Sequence, residues 1–208
     1  MAESKLTPAQ QEHLDAVLKW MRETLGMDIK GKFAHNDWSL IVGLHAMIET
    51  ALNATLLAQF GAPELADVIA KLNTSSTSTG KIAFAKELKI IEHDSFVFIQ
   101  KLSELRNFCV HDFRNFNFDL VKHLASLSET KRSALCNGIF KMVKSEVDVK
   151  SLAPQMGLWT GTVNVMMELH LHHLRCETRD LEAKVHKAQS ELYERGQSKP
   201  TAEPNNPQ

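Results

Sequence analysis

The segment 106–111, with the sequence RNFCVH, combines a fixed cation, an amide and a titratable imidazole. Arg106 can grip phosphate oxygens through two parallel hydrogen bonds, and His111 can exchange a proton near neutral pH. Asn107 can hydrogen-bond a phosphate, a ribose or the imidazole. Metal-independent RNA cleavage needs one group that moves a proton at the 2′-hydroxyl or the leaving oxygen, and a cation for the charge that grows on phosphate. Arg106, His111 and Asn107 are therefore the candidate catalytic residues, with no cofactor required.

The spacing of this segment sets a geometric condition. Five helical steps separate Arg106 from His111 by about 140° around a regular helix. The two side chains can turn toward one cleft only if the helix ends or loosens near His111. Asp112 and Arg114 follow at once and are candidate binding residues.

A purely structural role is favoured on spacing alone. Arginine and histidine near the end of a helix interact well with the helix dipole. Arg106 could instead pair with Glu104, Asp112 or Glu49. Glu49 lies among apolar residues and needs a partner if buried. We expect Arg106 to be that partner, and we count Glu49 among the candidate binding residues.

The elements that must position these residues are helices. Apolar residues recur at spacings of three and four, which predicts the helices 8–25, 38–60, 64–72, 81–91, 94–111, 119–127, 129–147 and 160–193. The chain is thus predicted to be all-α, with an N-terminal helix and linker (1–36), a helical domain (37–195) and a disordered tail (196–208). The polar run 73–80 is predicted to be a mobile surface loop.

Composition indicates a cytoplasmic protein. The net charge of −1 over 208 residues does not indicate a nucleic-acid or membrane surface. No signal peptide or membrane span is evident, so we expect no membrane partner. Cys109, Cys136 and Cys176 fall in apolar helical patterns, which favours reduced core thiols.

The last predicted helix carries two further patterns. His170 and His173 are three residues apart, which favours a polar helix face over a metal site because further ligands are not evident. A narrow apolar row follows among many charges, formed by Leu174, Leu181, Val185 and Leu192. This row fits either a solvated projecting helix or a coiled-coil dimer contact, and the sequence does not decide between them.

The order of residues in this segment resembles the signature of a known family. Residues 105–112 (LRNFCVHD) resemble the signature of the HEPN superfamily, an arginine, usually a polar residue next, then a histidine after four to six intervening residues. Upstream, residues 80–91 (GKIAFAKELKII), a polar turn and residues 98–102 (FIQKL) are similar to the mannitol operon repressor branch. The resemblance covers roughly residues 37–127 and extends to 158–185 as a closing helix.

This resemblance implies an antiparallel helical bundle, commonly a homodimer whose two motifs meet at the interface. In RNA-cleaving members, toxins or defence effectors, the catalytic pair would correspond to Arg106 and His111, with Asn107 assisting. Other members have lost activity and serve as regulators or binding modules. The mannitol operon repressor branch is named for transcriptional control, yet it carries no obvious DNA-reading helix-turn-helix, and none is evident in this sequence.

Three functions remain open. We expect first a HEPN-like regulatory or interaction protein, acting through protein partners in transcriptional or stress control. The alternative is a metal-independent ribonuclease of the toxin or defence type that uses Arg106 and His111. A third is a module that binds a nucleotide or another phosphate compound in the same cleft.

Overall fold

The computed structural model describes residues 36–142 and 153–197, together with Asp15, Lys19 and Glu23. Within these residues it contains seven α-helices: α1 (Asp37–Phe60), α2 (Ala66–Lys71), α3 (Lys81–Glu87), α4 (His93–His111), α5 (Leu120–Ser126), α6 (Glu129–Ile139) and α7 (Pro154–Gln197). Short 3₁₀ turns occupy Pro63–Leu65, Phe113–Asn117 and Phe140–Met142. The prediction of an all-α bundle with a long C-terminal helix is confirmed.

The predicted terminal segments are only partly described. Asp15, Lys19 and Glu23 are helical and exposed. Their spacing of four places them on one face of the predicted N-terminal helix, whose other residues lie outside the described ones. The predicted tail begins two residues too early because α7 continues to Gln197, and residues 198–208 also lie outside the description.

Helix α1 is the centre of the core. Ile41, Leu44 and Leu52 are fully buried along it, and it ends at Gly61, whose φ of 59° lies in the left-handed region that glycine adopts without strain. Its N-cap is Asn36, whose side chain accepts a hydrogen bond from the Ser39 amide at 2.8 Å. Asn36 therefore caps the helix, whose first residue is Asp37.

Asp37 is used for tertiary structure instead. Its carboxylate accepts hydrogen bonds from the Leu120 backbone amide at 2.7 Å and from the Gln155 side chain at 3.1 Å. One carboxylate thereby ties the start of α1 to the starts of α5 and α7.

Helices α1 and α4 run antiparallel. The Trp38 indole, at the start of α1, donates a 3.0 Å hydrogen bond to the Cys109 carbonyl near the end of α4. Further along, His45 of α1 lies 3.1 Å from Ser103 of α4. Residues later in α1 therefore contact residues earlier in α4.

Helix α7 runs parallel to α1 and antiparallel to α4 over residues 154–173. Gln155 bonds Asp37 at the start of both helices, and His172 bonds Gln59 near the end of α1. The two helices therefore run in the same direction. A methyl group built on Gly161 would collide with the Phe98 ring of α4. This glycine therefore permits the close approach of α7 to α4.

Several predicted boundaries are wrong, for local reasons. Helix α3 stops at Glu87, and the chain turns at Lys89, the residue with a φ of 55°. Helix α6 ends at Ile139, and residues 143–152 lie outside the described ones. Helix α7 begins at Pro154 rather than at the predicted residue 160, because a proline in the first turn costs no helical hydrogen bond.

The polar run 73–80 is folded onto the core. The Asn73 side chain accepts hydrogen bonds from the amides of Ser75 and Ser76 at 2.8 and 3.0 Å, and the Lys81 amide donates to the Asn73 carbonyl. Thr74 is buried. The expectation of a free surface loop is therefore corrected: composition indicated polarity but not these bonds.

Among the described helices, α1 has the length and apolar composition of a possible membrane span, with a mean hydropathy of 1.5. Half of the relevant window is buried inside the protein. The buried core helix of a soluble protein meets the same criteria, so this finding is weak evidence for a membrane span.

The chain divides into two compact units, residues 1–173 and 174–208. The first contains the core described above. In the second, the described residues 174–197 are helical, and the apolar side chains Leu181 and Leu192 are 63% and 69% exposed.

Candidate functional site

The segment 106–111, hereafter the motif segment, forms the last turns of α4. The helix remains regular through His111, and the backbone becomes extended only at Asp112 (φ −133°, ψ 116°). The separation of about 140° between Arg106 and His111 therefore persists. Within one chain, the helix does not loosen early enough to bring the two side chains to one cleft.

Arg106 is half-buried and its guanidinium donates a 3.1 Å hydrogen bond to the Asn107 side-chain oxygen. Its positive charge also contributes to lowering the pKa of the buried His45, after burial and against the opposing effect of Glu49. His111 is exposed. The structure thus joins Arg106 to Asn107 by a hydrogen bond, and no side-chain hydrogen bond among the described residues joins either of them to His111.

The expected pairing of Glu49 with Arg106 is wrong. Glu49 instead accepts hydrogen bonds from the Lys81 ammonium and the Thr74 hydroxyl, each at 2.8 Å. Lys81 is completely buried and also donates to the Ala70 carbonyl at 3.2 Å. Glu49 therefore holds α2, α3 and the loop between them against α1.

This pairing fixes the charge of Glu49. Partial burial opposes the charged carboxylate, but the hydrogen bonds from Lys81 and Thr74 outweigh it and lower the pKa of Glu49. Both bonds end on Oε1 of Glu49, and the side chain is 35% exposed.

His45 is a buried histidine that the sequence analysis missed. Its Nε2 lies 3.1 Å from the Ser103 hydroxyl, which donates onward to the Ile99 carbonyl, and its Nδ1 lies 3.9 Å from Glu49. Burial is the main cause that lowers the pKa of His45; Glu49 raises it, while Arg106 and Lys81 lower it. We call His45, Glu49, Thr74 and Lys81 the core polar cluster.

A sequence signal for this cluster existed but was weak. His45 and Glu49 are four residues apart on α1 and therefore share a face. Nothing local to the sequence indicates Lys81 as the partner, because 32 residues separate it from Glu49.

Asp112 and Arg114 bind each other. The Arg114 guanidinium donates from Nε to Oδ1 of Asp112 at 3.0 Å and from Nη2 to Oδ2 at 2.6 Å, and the Arg114 backbone amide donates to Oδ1 at 2.9 Å. These bonds lower the pKa of Asp112 and raise that of Arg114. The pair forms the turn after α4, so neither residue reaches Arg106 or His111 by a hydrogen bond among the described residues.

A groove of about 350 Å³ lies between α4, α5 and α6. Phe108 of the motif segment lines it, and its ring packs against that of His123 at a centroid distance of 4.4 Å, with the ring planes tilted by 43°. Burial lowers the pKa of His123. Phe108 lies about 160° from Arg106 around α4, so this groove opens on the other side of the helix from the guanidinium.

Cys109 lies between these two sides and is buried. Burial, with a smaller contribution from the charge of Asp37, raises the pKa of its thiol to about 11. Cys109 is therefore a core thiol, as the sequence predicted.

The histidines of α7 do not form the predicted polar helix face. His170 and His173 are buried, and His172 bonds Gln59 at 2.9 Å. No group of three or more His, Cys, Asp or Glu side chains in the described part of the chain is placed to hold a metal ion.

Comparisons with known proteins return no match to a family model, a curated protein or a solved structure.

Proposed function

We propose that this protein is a HEPN-like helical regulatory protein that acts by binding protein partners, in transcriptional or stress control. The resemblance of residues 80–112 to the mannitol operon repressor branch supports this proposal, as does the all-α bundle. The regulatory setting rests on the resemblance, and the binding role rests on one structural observation.

That observation is a row of exposed apolar side chains on the helix 174–197. Leu174, Leu181, Val185 and Leu192 are 42%, 63%, 49% and 69% exposed. A single exposed leucine is ordinary, but a row along one helix face is typical of a surface that binds another protein. We call residues 174–192 on this face the apolar seam.

The geometry of the motif segment also favours binding over catalysis by a single chain. Arg106 is half-buried and lies about 140° around the helix from His111, which is exposed at the end of the same regular helix. A proton-transfer group and a phosphate-binding cation must act on one reacting centre, and within one chain these two groups are not presented to one.

The test removes the apolar seam without touching the core. Leu181→Glu combined with Leu192→Glu is expected to abolish partner binding, because a charge at each position prevents apolar burial. Ala183→Glu combined with Ser190→Glu adds the same charges away from the seam and is the matched control. Partners are measured by cross-linking in cells and mass spectrometry, with helix content checked by circular dichroism. Equal partner sets for both variants and the wild type would contradict the proposal.

A second candidate is the metal-independent ribonuclease, favoured by one specific observation. Arg106 is bound by the neutral amide of Asn107 and forms no ion pair among the described residues, so its positive charge is not neutralised. His111 is exposed. A homodimer in which Arg106 of one chain meets His111 of the other would complete a catalytic pair.

RNA cleavage in EDTA tests this candidate. Arg106→Ala and His111→Ala are each expected to lower the cleavage rate at least about 10²-fold. His93→Ala, which removes another exposed histidine from α4, is expected to leave it unchanged. A wild-type protein that does not cleave RNA would remove this candidate and leave the binding role standing.

A further inference from the structure

The groove between α4, α5 and α6 has the size of a small-molecule site. Its volume of about 350 Å³ lies near the lower end of the range for ligand pockets, roughly 300–1,000 Å³. Leu105 and Leu135 are buried and line it, and Leu127 and Ala134 line it as well. The lining is therefore largely apolar and is completed by a few polar side chains, which is typical of a ligand pocket.

Two aromatic rings in contact also line this groove. The rings of Phe108 and His123 have centroids 4.4 Å apart, and the Phe118 ring packs against both at 5.6 and 5.2 Å. Phe108 is 45% exposed, so part of its ring remains uncovered. Aromatic groups prefer tilted or offset contacts of this kind, and a ligand ring can join the cluster in the same way.

His123 supplies a hydrogen-bonding group to the groove. Within the described part of the chain its imidazole contacts the rings of Phe108 and Phe118 and forms no side-chain hydrogen bond or ion pair. Burial lowers the pKa of His123, so the imidazole is neutral at neutral pH. A neutral imidazole keeps one N–H donor and one acceptor nitrogen. The donor is therefore available to an oxygen of a ligand.

The charged side chains of the groove leave one cation without a partner. The Lys101 ammonium donates to both carboxylate oxygens of Glu104, each at 2.8 Å, which neutralises this pair. Lys131 is exposed and forms no ion pair with any residue that the structure describes. Glu129, the nearest acid along α6, is bound by Arg132. The groove thus has one uncompensated positive charge.

We propose that this groove binds a small aromatic monocarboxylate, with its ring beside Phe108 and its carboxylate bound by Lys131 and the N–H of His123. One cation and one neutral donor match a single negative charge. A phosphate group, with a charge of about −1.5 to −2 at neutral pH, would exceed the charge that Lys131 supplies. This site goes beyond the proposed function, because the groove shares no residue with the apolar seam.

The ligand 2-naphthoate tests the site, and 2-naphthalenemethanol is the control because it has the same rings without the charge. An amide NMR titration of the full-length protein measures affinity and position together. A ligand of about a dozen non-hydrogen atoms is expected to bind with a Kd on the order of 0.1 to 1 mM. The amide signals of residues 105–108, 123–127 and 131–135 are expected to shift.

The alcohol is expected to bind about tenfold more weakly than 2-naphthoate, because it offers Lys131 no charge. Equal affinity of the two compounds would overturn the proposal. Shifts confined to other residues, or no saturable shift with 2-naphthoate, would overturn it as well.

Substitution of Lys131 tests the role of the cation. Lys131→Gln keeps an exposed polar side chain and is expected to raise the Kd of 2-naphthoate about tenfold. Lys122→Gln is the matched control, because Lys122 is an exposed lysine of α5 that does not line the groove. Its Kd is expected to equal that of the wild type, and an unchanged Kd in both variants contradicts the assignment of Lys131.

Two further variants test the donor and the space. His123→Phe keeps an aromatic ring but removes the N–H, and is expected to raise the Kd about fivefold. Ala134→Trp fills the groove from an exposed position and is expected to abolish binding. Circular dichroism checks the helix content of each variant. A folded Ala134→Trp variant with the wild-type Kd would place the ligand outside the groove and overturn the proposal.

An aliphatic acid tests the preference for an aromatic ring. Octanoate carries the same charge, but it loses chain freedom on binding and cannot pack ring against ring with Phe108. It is expected to bind about fivefold more weakly than 2-naphthoate. Tighter binding of octanoate would overturn the aromatic class of the ligand.

Discussion

The core polar cluster and the motif segment use similar residue types in opposite ways. In the cluster, Lys81 is completely buried and bonds Glu49, and His45 is buried against Ser103. In the motif segment, Arg106 bonds only its neutral neighbour among the described residues, and His111 is exposed. The charges that are bound most completely hold helices together, whereas those left open are available for binding. In this protein, the side chains with the most polar contacts therefore stabilise the packing of the helices.

Removing Lys81 should have the largest effect. Lys81→Ala leaves Glu49 without its cation, and breaking such a pair costs about 3 kcal/mol, toward the low end of the usual range because Glu49 is partly exposed. Urea unfolding measures the change in the free energy of unfolding. Lys141→Ala, which removes a more exposed ion pair with Asp94, should cost less than about 0.5 kcal/mol. Equal losses for the two variants would remove the distinction between the cluster and surface pairs.

Trp38→Phe tests the contact that anchors the motif segment to α1. The variant removes the indole donor and leaves the Cys109 carbonyl without its 3.0 Å partner. The expected loss of stability is about 1 kcal/mol, measured by the same unfolding experiment. A larger loss would mean that the end of α4 belongs with the core rather than with the open surface.

The pH dependence of stability sharpens the comparison further. Burial lowers the pKa of His45 below its ordinary value of 6.5. The unfolded chain then binds a proton that the folded protein resists, so the free energy of unfolding should fall as the pH drops through 6.5 toward the folded pKa. His45→Gln should flatten the profile in this range. Burial acts on His123 in the same direction, so His123→Gln measures its separate share; a wild-type profile without slope here would contradict both assignments.

The smallest effect is expected at the end of the motif segment. Arg114→Ala removes bonds to Asp112, but both side chains face water and such surface pairs contribute little. The urea midpoint should not change measurably. A clear loss of stability would show that the turn after α4 stabilises the helix. It would contradict the assignment of this turn to the open surface rather than to the stabilising contacts.

Local signals in the sequence predicted most of the helices. The three-and-four periodicity gave α1, and Gly61 ends it because glycine adopts a positive φ without strain. Contacts between distant residues were not predictable in the same way. Lys81 follows a glycine like an ordinary first-turn residue, and only the folded chain places it against Glu49. The start of α7 was also predicted too late, at residue 160, although the ring geometry of Pro154 suits the first turn of a helix.

The candidate site shows the same limit. The sequence located Arg106, Asn107 and His111, and the helix between them is regular as periodicity suggests. Within one chain the regular helix keeps Arg106 and His111 about 140° apart, and no spacing within one chain encodes an arrangement between two chains. The apolar row from Leu174 to Leu192 was readable from its spacing, but only the structure shows that its side chains are exposed.

The buried thiol of Cys109 offers a direct view of motion at the motif segment. Only the thiolate reacts readily with maleimides, and a pKa of about 11 leaves very little thiolate at neutral pH. Alkylation of Cys109 must therefore await moments when the end of α4 separates from Trp38 and water enters. The rate of labelling, followed by mass spectrometry, counts those openings and reports how often the chain uncovers the backbone beside Arg106.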